Sequence, residues 1–387
     1  RPIPMLDFQD KTNIISFDGT YFESPYLTFG FPRFKISGKG KIDLVYFECF
    51  DSDKGKTNSD RTDRSLGICR EMIDTVTVDG EYVFEPFWFR CFRFIKIETE
   101  GDVSICVDKF TEVNYPMFPR TDYDFGRSDD NALWEISVRT LQRCMHESYE
   151  DCPFYEQLQY AMDTSLQMLY NYQLTDDDLL ARKAMNDFAQ AQLADGLMPS
   201  RTPSVGDQHI PTFQFYFIFM VYAHYIRFGD KALVRQHLRA MDGVIEWFRR
   251  HLTEQGLVGQ SKYWNFVDWA KPWIYDQKRG CEGGVPLGVY EGNIGLYNPM
   301  MAYFLQVGAK LNELCGRRDV AREYIKTANL LIKNTKKYFY DKKTKLFADD
   351  VNHIYYSQHM QTWCVLSGVC KGKKARRIMK NALSLEA

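Results

Sequence analysis

The sequence predicts a chain of two parts, an antiparallel β-sandwich followed by a toroid of helical hairpins. Three observations predict this fold class. Up to about residue 115 the chain contains short β-rich runs separated by turn residues. From about residue 128 apolar side chains return with helical spacing, and one long loop at 253–291 interrupts otherwise short connections. We therefore expect a β-sandwich domain at 1–115, a linker at 116–130 and a helical domain at 131–387.

Four runs predict the strands of the first domain. They are Ile14–Phe17, Leu44–Phe50, Thr75–Val78 and Phe89–Ile97. The last run alternates apolar and charged residues over much of its length, which is typical of a strand with one buried face. Turn pairs such as Asp18-Gly19 and Asp79-Gly80 lie between the runs, and short strands with frequent turns favour an antiparallel sandwich.

Nine segments of the second part are predicted helices. They are Asn131–Glu147, Phe154–Tyr172, Asp176–Leu193, Thr212–Phe228, Lys231–Leu252, Gly292–Cys315, Asp319–Tyr338, Ser357–Val369 and Lys374–Ser384. Gly229 is a typical helix end and Asp230 a typical helix start. An (α/α)6 barrel needs six hairpins of two helices each, so we expect the barrel to be cut short at Ala387.

Composition narrows the function. A net charge of −2 gives no basic surplus for phosphate binding, so nucleic acid is not an expected partner. No apolar run approaches the roughly 20 residues of a membrane helix, so membrane insertion is not expected. Ten cysteines without CxxC pairs predict free thiols rather than a zinc site. An aromatic content of 15% suits a protein that stacks on sugars.

Three carboxylates stand close together in the sequence. Asp151 precedes Pro153 at the predicted start of a helix, Glu156 follows in its first turn, and Asp163 lies seven residues further on. Two helical turns separate Glu156 from Asp163, so we expect both on one helix face. Clustered, buried carboxylates raise one another's pKa, as a general acid requires. The alternative is an acidic first turn that merely stabilises the helix.

The motif Asp151-Cys152-Pro153-x-x-Glu156, followed by Asp163, resembles the signature of glycoside hydrolase family 78, the inverting α-L-rhamnosidases. The resemblance implies that Glu156 is the general acid, and that Asp151 and Asp163 hold and tune it and bind sugar hydroxyls. Tyr155 stands where the family has an arginine.

A second set of candidates follows from the same resemblance. Trp264, Asp268 and Trp269 resemble the family's Trp…Asp-Trp motif in the long loop, and Tyr356-Ser357-Gln358-His359 resembles the start of a late barrel helix. The two tryptophans would stack on a sugar, and Asp268 and His359 would bind it. The alternatives are a buried aromatic plug with Asp268 as a turn cap, and a core histidine.

The resemblance implies a hydrolase that releases terminal α-L-rhamnose from a rhamnose-containing glycan with inversion. We expect no cofactor and assign no metal ligand, and a requirement for calcium stays open. An inverting enzyme needs a second carboxylate as base. The family order of motifs puts that base beyond Ala387, so we expect the chain alone to have little activity. Glu282 and Glu291 are the first candidates should the base lie within it.

Two other functions remain open at this point. One is a different helical-barrel glycosidase, and the other is a carbohydrate-binding protein without catalysis. Resemblance to polysaccharide-degrading enzymes favours a periplasmic or extracellular location, with the cytoplasm left open.

Overall fold

The computed structural model describes residues 1–11, 16–51, 61–121, 123–270, 273, 283–291 and 294–384. The chain forms two compact units. Unit 1 comprises Arg1–Leu158 and Gln173–Leu180, and unit 2 comprises Gln159–Tyr172 and Ala181–Ala387. Unit 1 contains the first helix of the chain together with the β part. The predicted linker at 116–130 therefore stays a prediction.

The described strands of unit 1 form one antiparallel sheet, which confirms the antiparallel β part of the fold. The spatial order is β1-β5-β3-β2, with β4 paired to β3. The strands are β1 (Asp7–Asp10), β2 (Ser16–Phe17), β3 (Tyr21–Phe47), β4 (Met72–Phe84) and β5 (Arg90–Asn114).

The longest strand, β3, folds back on itself. The rings of Phe22 and Phe34 lie 5.4 Å apart between centroids, although a straight strand would separate these residues by about 40 Å. The bend includes Gly30, where an added Cβ would lie 2.2 Å from the carbonyl oxygen of Thr111. A single folded sheet therefore takes the place of the two layers of a sandwich. Its apolar core includes Phe34 and Phe92.

Nine α-helices lie within the described residues, and each overlaps a predicted helix. They are α1 (Ser128–Arg143), α2 (Ala161–Leu174), α3 (Leu179–Gln190), α4 (Phe213–Phe228), α5 (Lys231–Arg250), α6 (Tyr297–Leu314), α7 (Arg318–Tyr338), α8 (Gln358–Leu366) and α9 (Gly372–Ala382). None of these helices is long and apolar enough to cross a bilayer.

Helix α4 lies in the core of unit 2. The ring of Phe215 stacks on Phe248 of α5 at 4.2 Å and on Phe304 of α6 at 5.1 Å. The predicted boundary between α4 and α5 is confirmed: Gly229 adopts a left-handed φ of 68°, and the Asp230 carboxylate accepts the first free N–H groups of α5.

Nine of the ten cysteines lie in the described part of the chain, and all nine are free thiols. Cys281 lies outside the described residues. Burial raises the pKa of Cys91 and of Cys364 well above the ordinary value. These thiols are apolar packing groups rather than nucleophiles.

Candidate active site

The Asp-Cys-Pro motif forms a closed loop, which we call the acid loop (residues 151–158). Asp151 holds both of its ends. Its N–H donates to the Leu158 carbonyl at 2.9 Å, and its carboxylate accepts the Leu158 N–H at 2.9 Å. The N–H of Glu156 donates to the Cys152 sulfur at 3.2 Å. The loop thus presents Glu156 on its exposed side.

The predicted helix at 154–172 is wrong in its first two turns, because α2 begins only at Ala161. The expected placement of Glu156 and Asp163 on one helix face is therefore wrong as well. Glu156 lies in the acid loop of unit 1, whereas Asp163 lies in the first turn of α2 in unit 2.

Backbone geometry explains why the helix starts late. Gln157 has a φ of 55°, which lies outside the right-handed helical region. Tyr160 then forms an isolated β-bridge with Arg201. On either side of it the Ala161 N–H donates to the Ser200 carbonyl, and the Thr202 N–H donates to the Gln159 carbonyl. These backbone groups are therefore committed to another partner before the helix begins.

Phe154 anchors the acid loop in unit 1. Its side chain is only 2% exposed and belongs to an aromatic core cluster with Phe29, Phe47 and Phe94. The neighbouring Tyr155 ring meets Phe154 edge to face at 5.0 Å. The residue two before the candidate acid is thus fixed by packing, which limits the movement of Glu156.

The environment of the acid loop raises the pKa of two neighbouring carboxyl groups. Burial raises the pKa of Asp151, and the negative charge of Glu156 adds to this rise, while the hydrogen bond from the Leu158 N–H opposes it. Burial also raises the pKa of the preceding Glu150, whose hydrogen bond with His146 opposes the shift. Several carboxyl groups here interact closely enough for the protonation of one to depend on the others.

An aromatic cluster in unit 2 consists of Trp264, Phe266 and Trp269. The ring centroids of Trp264 and Phe266 are 4.8 Å apart, and those of Phe266 and Trp269 are 5.0 Å apart. The indole N–H of Trp264 donates to the Gly283 carbonyl at 3.2 Å. Trp269 is 72% exposed, so its ring is available to a ligand.

Asp268 and His359 form a direct pair beside this cluster. The Nε2 atom of His359 lies 3.0 Å from one carboxylate oxygen of Asp268, and the other oxygen accepts the Trp269 N–H at 2.8 Å. The Trp273 ring lies 5.1 Å from the His359 ring. Asp268 thus accepts a hydrogen bond from its own loop and contacts a histidine from a distant helix.

The phenol of Tyr216 in α4 interacts electrostatically with two of the predicted carboxylates. Its pKa is raised to about 12, chiefly by burial and further by the charges of Asp268 and Asp163. Both carboxylates therefore act on the same phenol within unit 2. A phenol with a raised pKa keeps its proton at neutral pH and serves as a hydrogen-bond donor.

The predicted residues fall into two groups, one in each unit. Asp151 and Glu156 lie together in unit 1. Asp163, Asp268, His359 and the aromatic cluster lie in unit 2. Sequence reasoning missed Tyr216 and Trp273. A signal for Trp273 existed, since it lies four residues after Trp269 in the same loop. Tyr216 had none, because it sits in a continuous aromatic run.

Other candidate groups add little. Within the described residues, no group of three His, Cys, Asp or Glu side chains is arranged to hold a metal ion. Glu282, a candidate base, lies outside the described residues. Glu291, the other candidate base, is the last residue of a short 3-10 helix, Leu287–Glu291.

Comparison with known protein families gives one match. Residues 126–379 match the model of the bacterial alpha-L-rhamnosidase six-hairpin glycosidase domain. The match contains the acid loop, the long loop with Asp268, and helix α8 with His359. No curated protein sequence matches the chain.

Solved structures of rhamnosidases share the fold of the chain. The chain is similar to a GH78 family rhamnosidase of Bacillus sp. GL1, with a TM-score of 0.76 and 20% identity over 98% of this chain and 38% of that one. It is similar to a rhamnosidase from Klebsiella oxytoca with rhamnose bound, with a TM-score of 0.80 and 16% identity over 98% of this chain and 80% of that one. An alpha-L-rhamnosidase from Dictyoglumus thermophilum gives a TM-score of 0.73 and 16% identity over 98% of this chain and 42% of that one.

Proposed function

Because the chain belongs to the bacterial alpha-L-rhamnosidase six-hairpin glycosidase family, we propose that it acts in releasing terminal α-L-rhamnose from a glycoside with inversion at the anomeric carbon. The observation that carries the proposal is the family match over residues 126–379, which includes an acid loop that exposes Glu156.

In this proposal Glu156 is the general acid that protonates the leaving oxygen. Its exposure lets the carboxyl reach a bound glycoside, while Phe154 and Asp151 fix the loop that carries it. The same loop brings the charge of Glu156 to bear on Asp151. The carboxyl whose pKa rises is that of Asp151, which closes the loop that carries the proposed acid.

We further propose that the unit 2 group binds the sugar. The Trp264 and Trp269 rings offer apolar faces for sugar C–H groups. Each oxygen of Asp268 already accepts one hydrogen bond, and a carboxylate oxygen can accept a second one from a sugar hydroxyl. Rhamnose is neutral, so hydrogen bonding and stacking suffice and no cationic side chain is required.

The inverting reaction also needs a base that activates water on the opposite face of the sugar. The proposal assigns no base among the described residues. Candidates for that role are Glu282, Glu291 or a residue outside this chain, and alanine variants of the two glutamates distinguish these sources.

Substituting the acid tests the proposal. Glu156→Gln in the native protein is expected to lower turnover of a rhamnoside with a poor leaving group by about 100-fold or more. An activated aryl rhamnoside needs less protonation, so its turnover should fall less. Glu313→Gln makes the same chemical change at an exposed position of α6; it is the matched control and should retain most activity. Near-normal rates on both substrates with Glu156→Gln would contradict the assignment.

A panel of aryl glycosides tests the sugar. Turnover of aryl α-L-rhamnoside above all other sugars is the expected result, and preference for another sugar would identify a different helical-barrel glycosidase. Rhamnose binding without turnover in the native protein would identify a binding protein.

A further inference from the structure

Asp349 lies in the segment that connects α7 to α8, and its side chain is buried. It is 1% exposed. One carboxylate oxygen accepts the hydroxyl of Ser357 at 2.7 Å, and the other has no hydrogen-bond partner among the described residues. A carboxyl group is costly to bury, so its role extends beyond filling space.

The partner of Asp349 is the residue that starts α8. Ser357 is the N-cap, and its oxygen accepts the Met360 N–H at 3.1 Å. The same hydroxyl therefore donates to Asp349 and accepts from the helix, which fixes its direction. His359 lies in the first turn of that helix, two residues after Ser357.

The backbone of Asp349 is also fixed on two sides. Its carbonyl accepts the N–H of Gly295 at 2.9 Å, and its N–H donates to Tyr355 at 2.8 Å. A Cβ at Gly295 would lie 2.5 Å from that carbonyl oxygen, so the approach requires glycine. Asp349 thereby connects the start of α8 to the segment that precedes α6.

We propose that Asp349 is a positioning residue for the sugar-binding pair of Asp268 and His359. It acts by holding Ser357, which sets the first turn of α8 and so the imidazole that contacts Asp268 at 3.0 Å. The identity of the sugar rests on the proposed function, whereas the link from Asp349 to His359 does not.

A double-mutant cycle tests the link. Asp349→Ala removes the oxygen that accepts the Ser357 hydroxyl and is expected to raise the Kd for L-rhamnose by about 3- to 30-fold, the range of coupling between groups in one hydrogen-bonded network. In a His359→Ala background the same change should have little further effect. Asp230→Ala alters the N-cap of α5, which lies elsewhere in unit 2, and is the matched control with unchanged affinity. Full additivity of Asp349→Ala and His359→Ala would overturn the proposal.

Ring-nitrogen NMR of the histidines gives a second readout that needs no sugar. The chain has 7 histidines, and loss of one signal in His359→Ala assigns His359. We expect Asp349→Ala and Ser357→Ala each to shift that signal, and Asp230→Ala to leave it in place. An unmoved His359 signal in a folded Asp349→Ala or Ser357→Ala protein would overturn the proposal. Absence of rhamnose binding in the wild-type native protein, with the signal shifted as expected, would instead reject the proposed sugar.

Discussion

The buried carboxyl of Asp349 makes the stability of unit 2 depend on pH. Burial raises its pKa from 3.8 to about 7, and the charge of Asp350 adds to the rise, while the Ser357 hydroxyl opposes it. The thiol of Cys364 also interacts with this carboxyl, and burial keeps that thiol neutral. In the folded chain Asp349 therefore keeps its proton up to neutral pH, whereas in the unfolded chain it ionises near pH 4.

The sign and size of the effect follow from proton linkage. Between about pH 4 and pH 7 the folded state binds one proton more than the unfolded state, so the free energy of unfolding falls as pH rises. The slope for one group is about 1.4 kcal/mol per pH unit. Over the roughly three units between the two pKa values the loss is of the order of 4 kcal/mol, and it is complete above the folded pKa.

Asp349→Asn removes this titration. Urea unfolding from pH 4.5 to 8 should show a shallower fall in stability for the variant than for the wild type, so that the variant gains relative stability as pH rises. Asp341→Asn is the matched control from the same connection. Backbone N–H groups lower the pKa of Asp341, so its stabilising effect is lost only as pH falls below about 4. Parallel wild-type and Asp349→Asn curves from pH 5 to 8 would refute a protonated Asp349.

Three further substitutions test the two groups of the site. Phe154→Ala is expected to cost about 3–5 kcal/mol of stability and to lower turnover, since the acid loop loses its anchor; a thermal melt and a rate assay check this, and Phe154→Leu should cost less. Gly284→Ala should destabilise the long loop in a melt, because Gly284 has a φ of +73° and an added Cβ would lie 2.1 Å from the Phe266 ring; an unchanged melting temperature would contradict the described loop. Trp269→Ala should raise the Kd for rhamnose about 2- to 10-fold with a stability change below about 0.5 kcal/mol, because the ring is mostly exposed; equal affinity in calorimetry would reject stacking.

The helices and parts of four strands could be predicted because they depend on local patterns, whereas no predicted run covered β1. Alternation in Phe89–Ile97 marks part of β5, and the Gly229-Asp230 pair marks the change from α4 to α5. Both signals reflect side chains and caps acting within a few residues. The fold-back of β3 could not be predicted this way, since it depends on contacts between residues such as Phe22 and Phe34 that lie in one continuous strand.

The error at the acid loop has a specific physical cause. The spacing of Glu156 and Asp163 fits two helical turns, and Pro153 fits a helix start, so local rules favoured a helix. Two features outweigh those rules: the Asp151 side chain closes the loop on Leu158, and residues 159–161 pair with a distant segment. Spacing between carboxylates therefore identified residues of the right chemical type without fixing how they are arranged.

The pairing of Asp268 with His359 shows what single-sequence reasoning lacks. The two residues are 91 positions apart, and nothing in either neighbourhood encodes the other. The same holds for Asp349 and Asp350, two adjacent aspartates that the sequence alone does not distinguish. Both side chains are buried, yet their partners differ: Asp350 accepts backbone N–H groups from its own turn, whereas Asp349 accepts the Ser357 hydroxyl and has one oxygen without a partner among the described residues. The donors that surround a buried carboxyl group are set by the assembled fold, and they distinguish Asp350, which its turn satisfies, from Asp349, which keeps its proton at neutral pH.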